Sequence, residues 1–140
     1  MQSIVVGTDG SEGAELALRR AAEIAKGCGG TVHVVTAVPD ASFHEAVATS
    51  ARTERVDLGA VAESVLVRAQ RELDGMGIDL QTHSRHGDPA RVILEIADEQ
   101  DADLIVVGAR GLTGLQKFLL GSVSSKLSHY SERTVMVVRD

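Results

Sequence analysis

The sequence predicts a doubly wound α/β domain over residues 1–140: one five-stranded parallel sheet, strand order 3-2-1-4-5, with helices on both faces. Three observations lead there. Short β-branched runs recur along the chain with hardly any polar alternation, which suits strands covered on both sides. Stretches with apolar residues at helical spacing lie between them, so the elements alternate strand, helix, strand. Right-handed parallel crossovers then favour the order 3-2-1-4-5, in which the winding reverses between the first and fourth strands.

The first strand is Ile4 to Val6. A helix follows from about Glu12 to Lys26, with Leu16, Ala17, Ala21, Ile24 and Ala25 on or near one side, and the glycines at 27, 29 and 30 stop it. Val32 to Val38, with polar interruptions, is the second strand. Pro39 to Arg55 is long, polar and weakly patterned, and reads as a loop or a loosely anchored helix. From about Val56 to Leu73 the residues Val61, Val65, Ala69 and Leu73 mark the next helix, ended by Gly75 and Gly77. Ile78 to Arg85 alternates Ile78, Leu80, Thr82 and Ser84 with Asp79, Gln81, His83 and Arg85, as an edge strand with one wet face does. Asp88-Pro89 opens a third helix, an N-cap acceptor followed by the ring that suits the first helical position, and Val92, Ile93, Ile96 and Ala97 form its apolar side. Leu104 to Val107 is the fourth strand, about Ser122 to Ser131 the last helix, and Val135 to Val138 the fifth strand.

Composition narrows the functional classes. A chain of 140 residues holds a core without metal or disulfide support, and the lone Cys28 excludes an internal disulfide and a cysteine-ligated zinc site. A reducing cytoplasm is the simplest setting. The N-terminus lacks the basic flank and long apolar run of a signal peptide and reads as a mature first strand, and no apolar run nears the ~18 residues of a membrane span. A net charge of −6 and three aromatic side chains argue against a nucleic-acid surface. They do not exclude one small anionic ligand, since backbone dipoles hold phosphate without help from net charge.

Ligands of open parallel α/β sheets bind outside the carboxyl ends of the strands, where strand order reverses. Two loops converge there, Gly7-Thr8-Asp9-Gly10-Ser11 and Gly108-Ala109-Arg110-Gly111. After Leu112 to Leu120, Gly121-Ser122 opens the last helix with Ser124 and Ser125 close behind. Glycines let backbone N–H groups approach a ligand, and first-turn helix amides are unpaired donors at the positive end of the dipole, so phosphate is the fitting acceptor. Hydroxyls of Ser122 and Ser124 serve either as further phosphate donors or as helix caps, and Arg110 and Lys117 are the nearby cations in sequence. Asp9 is either a ligand contact or a cap for the first helix.

Gly108, Gly111, Gly121 and Ser122 have the spacing G-x2-G-x9-G-[S/T]. With IVVGTDGS at the start, GDPARVIL from Gly87, ADLIVVGARG from Ala102 and LLGSVSSKLSHYSERTVMVV from Leu119, the chain resembles the ATP-binding type of universal stress protein. The resemblance implies ATP, with or without Mg2+, in a stress-response regulatory protein. By matched position it implies that Thr8 and Asp9 meet adenine or ribose and that the backbone of Val38 reads the adenine edge. It likewise implies that Val107, Gly108 and Gly111 form the ribose and phosphate loop, and that Gly121, Ser122, Val123 and Ser124 cradle the phosphates. Arg110 stands where the family varies.

A slow ATPase or phosphotransferase using the same pocket is the alternative. Phosphoryl transfer needs a positioned metal and an oriented nucleophile, and Asp9 is the obvious acidic residue near the loops. A ligand-free interaction module is a third class, disfavoured by the retained glycine motif. His83, His86 and Asp88 straddle a strand end and read as a solvated edge before a metal cluster; His33, His44 and His129 are scattered singles without a role. The fifth strand lies at the edge, yet Val135, Met136, Val137 and Val138 are apolar throughout, which invites pairing into a homodimer. The resemblance implies the same arrangement.

Overall fold

The computed structural model describes residues 2–39, 57–111 and 120–140. The stretch after Pro39 and the segment containing Lys117 lie outside the described residues, as does His44. The elements run β1 (Ser3–Gly7), α1 (Glu12–Cys28), β2 (Thr31–Val38), α2 (Leu58–Leu73), β3 (Asp79–His86), α3 (Pro89–Glu99), β4 (Leu104–Gly108), α4 (Ser122–Tyr130) and β5 (Thr134–Val138). The strands form one parallel sheet in the order β3-β2-β1-β4-β5, as the handedness argument requires.

Strand alternation sends two apolar sets to two helical layers. Ile4, Val6, Val32, Val34, Leu104 and Val106 pack under α1 and α2 with Ala17, Leu18, Ala21, Ala25, Ala69 and Leu73. Val5, Val35, Ile105 and Val107 pack under α3 and α4 with Val92, Ile93, Ile96, Ala97 and Leu127. Each fully buried aliphatic side chain contributes about 1.5–3 kcal/mol, and the largest lie on β1, β2, β4 and the helices over them, so the centre of the sheet is its rigid part.

Local chemistry sets the helix ends. Ser11, Asp57 and Asp88 cap α1, α2 and α3 by accepting the amide hydrogens of Ala14, Ala60 and Arg91 at 3.2, 3.1 and 3.2 Å. Helix α1 continues through Gly27 and ends at Gly29, whose φ of 72° is the left-handed cap conformation. Two expected core positions move. Val61 is 49% exposed while Ala62 is buried, and Leu18 rather than Leu16 is fully covered, so α1 and α2 meet the sheet largely with alanines. Strand β3 starts at Asp79 rather than Ile78, and its faces are unequally dry: Leu80 packs towards α2, and His83 and Arg85 are half-buried on the other side.

At the amino ends of the strands, Asp103 accepts the amide hydrogens of Gln2 and Ser3 at 2.7 and 3.0 Å, and these two bonds hold its carboxyl below the ordinary range. Arg133 reaches Asp98, Asp101 and the Ala102 carbonyl at 3.2, 3.4 and 2.6 Å. That end is stapled shut. Among the described residues, no helix is long and apolar enough to cross a membrane.

Candidate functional site

At the carboxyl ends of the strands the chain turns sharply twice. After β1, the Thr8 amide donates to the Val35 carbonyl at 2.9 Å, which ties the loop to β2, and Thr8 Oγ1 accepts from the Gly10 amide at 3.2 Å. Gly10 has a φ of 83°, which favours glycine. Asp9 Oδ1 accepts the Ser11 amide at 2.9 Å, so Asp9 shapes the turn and Ser11, not Asp9, caps α1. Arg68 of α2 closes the loop from above, donating to the Gly10 carbonyl at 3.1 Å and to Glu15 at 3.2 Å.

After β4, Ala109 is the hub. Its amide donates to the Val138 carbonyl at 2.9 Å, and its own carbonyl accepts the Gly121 amide at 2.6 Å and the Ser124 hydroxyl at 2.9 Å. Ser124 is 1% exposed and its hydroxyl also lies 3.1 Å from the Gly121 carbonyl, so the single proton is spent within the chain. The Ser124 hydroxyl therefore docks α4 onto the β4 loop, and only the Ser124 amide is left for a ligand.

Three glycines knit these loops together. A Cβ on Gly108 would lie 2.6 Å from the Gly13 carbonyl oxygen of α1, and one on Gly121 would lie 3.2 Å from the Ala109 oxygen and 3.3 Å from the Arg110 Cα. A Cβ on Gly111 would run into Asp9 Oδ2. The missing side chains thus let β4, α1 and α4 approach one another, and they let Asp9 bridge the two loops. Sequence spacing suggested glycines kept open for a ligand, and for Gly108 the chain's own backbone packing is a sufficient reason, while Gly111 faces only the end of the Asp9 side chain.

The first turn of α4 differs from those of the other three described helices. Its N-cap is Gly121, with no side-chain acceptor, and the first ladder bond in it runs from the Ser125 amide to the Gly121 carbonyl at 3.0 Å. The amides of Ser122, Val123 and Ser124 therefore precede the ladder at the positive end of the helix, beside the loop of β4. The Ser122 side chain is exposed and that of Val123 half-buried. Val38 and Val107 are 4% and 3% exposed, and the Val38 carbonyl already accepts the Gly87 amide at 2.9 Å. Arg110 pairs with Asp140 at 2.7 Å.

A family model described as the universal stress protein family matches residues 1–139. The chain belongs to the universal stress protein family. It is 31% identical over 140 residues to a universal stress protein of Methanocaldococcus jannaschii, covering 99% of this chain and 82% of that one. A universal stress protein crystallised in complex with cAMP has 32% identity and a TM-score of 0.74, over 98% of this chain and 96% of that one. The Archaeoglobus fulgidus universal stress protein in complex with dAMP has 28% identity and a TM-score of 0.74, over 98% and 97%.

In this universal stress protein the structure therefore brings together Thr8, Asp9, Gly108, Arg110, Gly111, Gly121, Ser122, Val123 and Ser124, with Val107 just beneath and Val38 at the end of the next strand out. It also contains a pair the sequence reading missed. His33 Nδ1 and His83 Nε2 are 3.0 Å apart on β2 and β3, with His33 4% exposed. Burial lowers the pKa of both, aided by their mutual charge at His33 and by Arg85 at His83. Arg85 is itself held by Glu99 at 2.7 and 2.9 Å. The register that pairs Val35 with His83 puts His33 and His83 on one face, and local sequence carries no sign of it.

Proposed function

We propose that this universal stress protein is a regulatory protein that binds an adenine nucleotide, ATP, across the carboxyl ends of β1 and β4. One observation carries the reading: α4 starts without a side-chain cap, against the β4 loop, with the amides of Ser122, Val123 and Ser124 ahead of its hydrogen-bond ladder. Phosphate oxygens match that donor set in charge and in number of acceptors. The relatives crystallised with cAMP and dAMP support an adenine nucleotide as the class.

In this reading Thr8 and Asp9 meet adenine or ribose, and the Val38 backbone meets the adenine edge. Val107, Gly108 and Gly111 line the ribose and phosphate path, Gly121 to Ser124 hold the phosphates, and Arg110 adds a cation. Mg2+ accompanies the triphosphate tail. The protein acts in the cytoplasm as a homodimer paired through Val135, Met136, Val137 and Val138, and nucleotide changes its state by binding one conformation better than another.

Binding is favoured over turnover because Asp9, the carboxylate nearest the loops, is used as a brace: one oxygen accepts the Ser11 amide and the other lies against Gly111. The test is calorimetric titration of the purified chain with ATP, with phosphate release followed in the same samples. Saturable heat with at most trace release supports the proposal. No heat overturns it, and steady release abolished by Asp9→Ala establishes the ATPase instead.

A further inference from the structure

The Arg110 guanidinium donates from Nη2 to Asp140 Oδ1 at 2.7 Å, with the arginine 22% and the aspartate 61% exposed. The root of this arginine is at the other end of the loop. A Cβ on Gly121, the N-cap of α4, would stand 3.3 Å from the Arg110 Cα. Its backbone thus borders the amides proposed for phosphate, while its head is turned to a carboxylate just past β5. Asp140 in turn lines a hollow of about 280 Å³ with Glu12, Gly13, Glu15, Leu16 and Arg19, a rim with more carboxylates than cations.

Carboxylate and phosphate offer the same pair of oxygens to a guanidinium fork, so they compete for it. Asp140 is 61% exposed, so solvent screens its side of the pair and the carboxylate can give way to another anion. Building on the nucleotide reading above, we propose that Asp140 holds Arg110 as a stand-in for phosphate, and that the outer phosphates of a nucleoside triphosphate displace it. A monophosphate, satisfied by the amides of α4, leaves the pair in place. Arg110 is then the residue that distinguishes nucleotides by phosphate number, and Asp140 sets how strongly. Asp140 lies two residues past the end of β5, so the exchange also removes one tie between that end and the β4 loop, where the Ala109 to Val138 bond remains.

The experiment is titration of the full chain with AMP and with ATP, free of divalent cations, for wild type, Asp140→Asn, Arg110→Gln and the double variant. Asp140→Asn is expected to tighten ATP about three- to fivefold while AMP stays within about twofold, the range an exposed pair allows. Arg110→Gln is expected to weaken ATP and to erase the gain from Asp140→Asn in the double variant. An unchanged ATP affinity in Asp140→Asn, or an equal gain with AMP, overturns the exchange. A gain that persists without Arg110 also overturns it, because Asp140 then acts only through its field. A wild-type chain that binds neither nucleotide brings down the nucleotide reading itself and this inference with it.

Discussion

Gly13 and Gly108 meet backbone to backbone, so that a Cβ on Gly108 would lie 2.6 Å from the Gly13 carbonyl oxygen and 2.7 Å from its carbonyl carbon. Gly13 is crowded from a second point of the same loop, since a Cβ on it would lie 2.6 Å from the Arg110 carbonyl oxygen. Neither neighbour is the end of a flexible side chain, and α1 has to move for either substitution to fit. Gly108→Ala is therefore expected to cost about 1–3 kcal/mol, as overpacking does, and to lower the melting temperature of the ligand-free protein by roughly 3–10 °C. Thermal denaturation without nucleotide checks this. An unchanged melting temperature would mean that the contact yields at no cost.

The start of α4 allows binding to be probed without touching that packing. Ser122 is exposed at the first helical position, where the dipole favours a negative charge. Ser122→Glu should leave stability unchanged or raise it by about 0.3–1 kcal/mol, the usual value of an acid in a first turn. The same carboxylate repels phosphate, and ATP affinity should fall about tenfold or more, given ~4 kcal/mol between like charges at 4 Å near a protein surface. Paired denaturation and titration read both effects. Full affinity in a stable variant would put the phosphates elsewhere.

What the sequence made legible was local or chiral. Asp88-Pro89 announces a helix start by its own chemistry, Gly29 stops α1 through its own backbone, and the strand order follows from the hand of the crossovers. Long-range contacts were not legible. The spacing of Gly108 and Gly111 reads the same whether a ligand or the chain itself fills the space, and the atoms that decide belong to Gly13 and Asp9, far away in sequence. His33, a scattered single, and His83, part of a solvated edge, lie fifty residues apart and look unrelated until β2 and β3 are in register. Val61 and Ala62 show the same limit from packing: helical spacing favours the valine, but the rotation of α2 against the sheet buries Ala62 and leaves Val61 exposed.

Among the described residues strand β5 pairs with β4 on one side only, and Val135 to Val138 are each half-buried within the chain. An apolar edge of this kind is a template for another strand. Sedimentation at micromolar concentration is expected to give twice the 14.7 kDa chain mass, and Val137→Lys to return it to the monomer mass. A wild-type protein that sediments at 14.7 kDa removes the dimer from the proposal.

The histidine pair predicts a distinct pH dependence. With 3.0 Å between Nδ1 of His33 and Nε2 of His83, one ring donates and the other accepts, which requires at least one unprotonated nitrogen between them. Burial lowers both pKa values from 6.5; the His83 charge adds to this at His33, the Arg85 charge adds at His83, and Glu99 partly offsets it at His83. Below about pH 6.5 the unfolded chain takes up protons that the folded pair refuses, so stability falls as pH drops through that value towards the lowered pKa values of the folded state. Carboxylates act in a lower window. Glu99, bonded to Arg85, and Asp103, bonded to the amides of Gln2 and Ser3, have pKa values below 4.5 and 3.8 in the fold, so their stabilisation is complete above those values and lost beneath them. Between about pH 6.5 and 5, then, histidine titration sets the slope. Urea denaturation at several pH values should show stability falling with acid in wild type and falling less in His83→Gln, which keeps a hydrogen-bonding side chain but removes one titrating ring. Equal slopes in the two proteins would mean that the pair does not carry the effect, because a pair that refuses protons in the fold has to make stability fall with acid below pH 6.5.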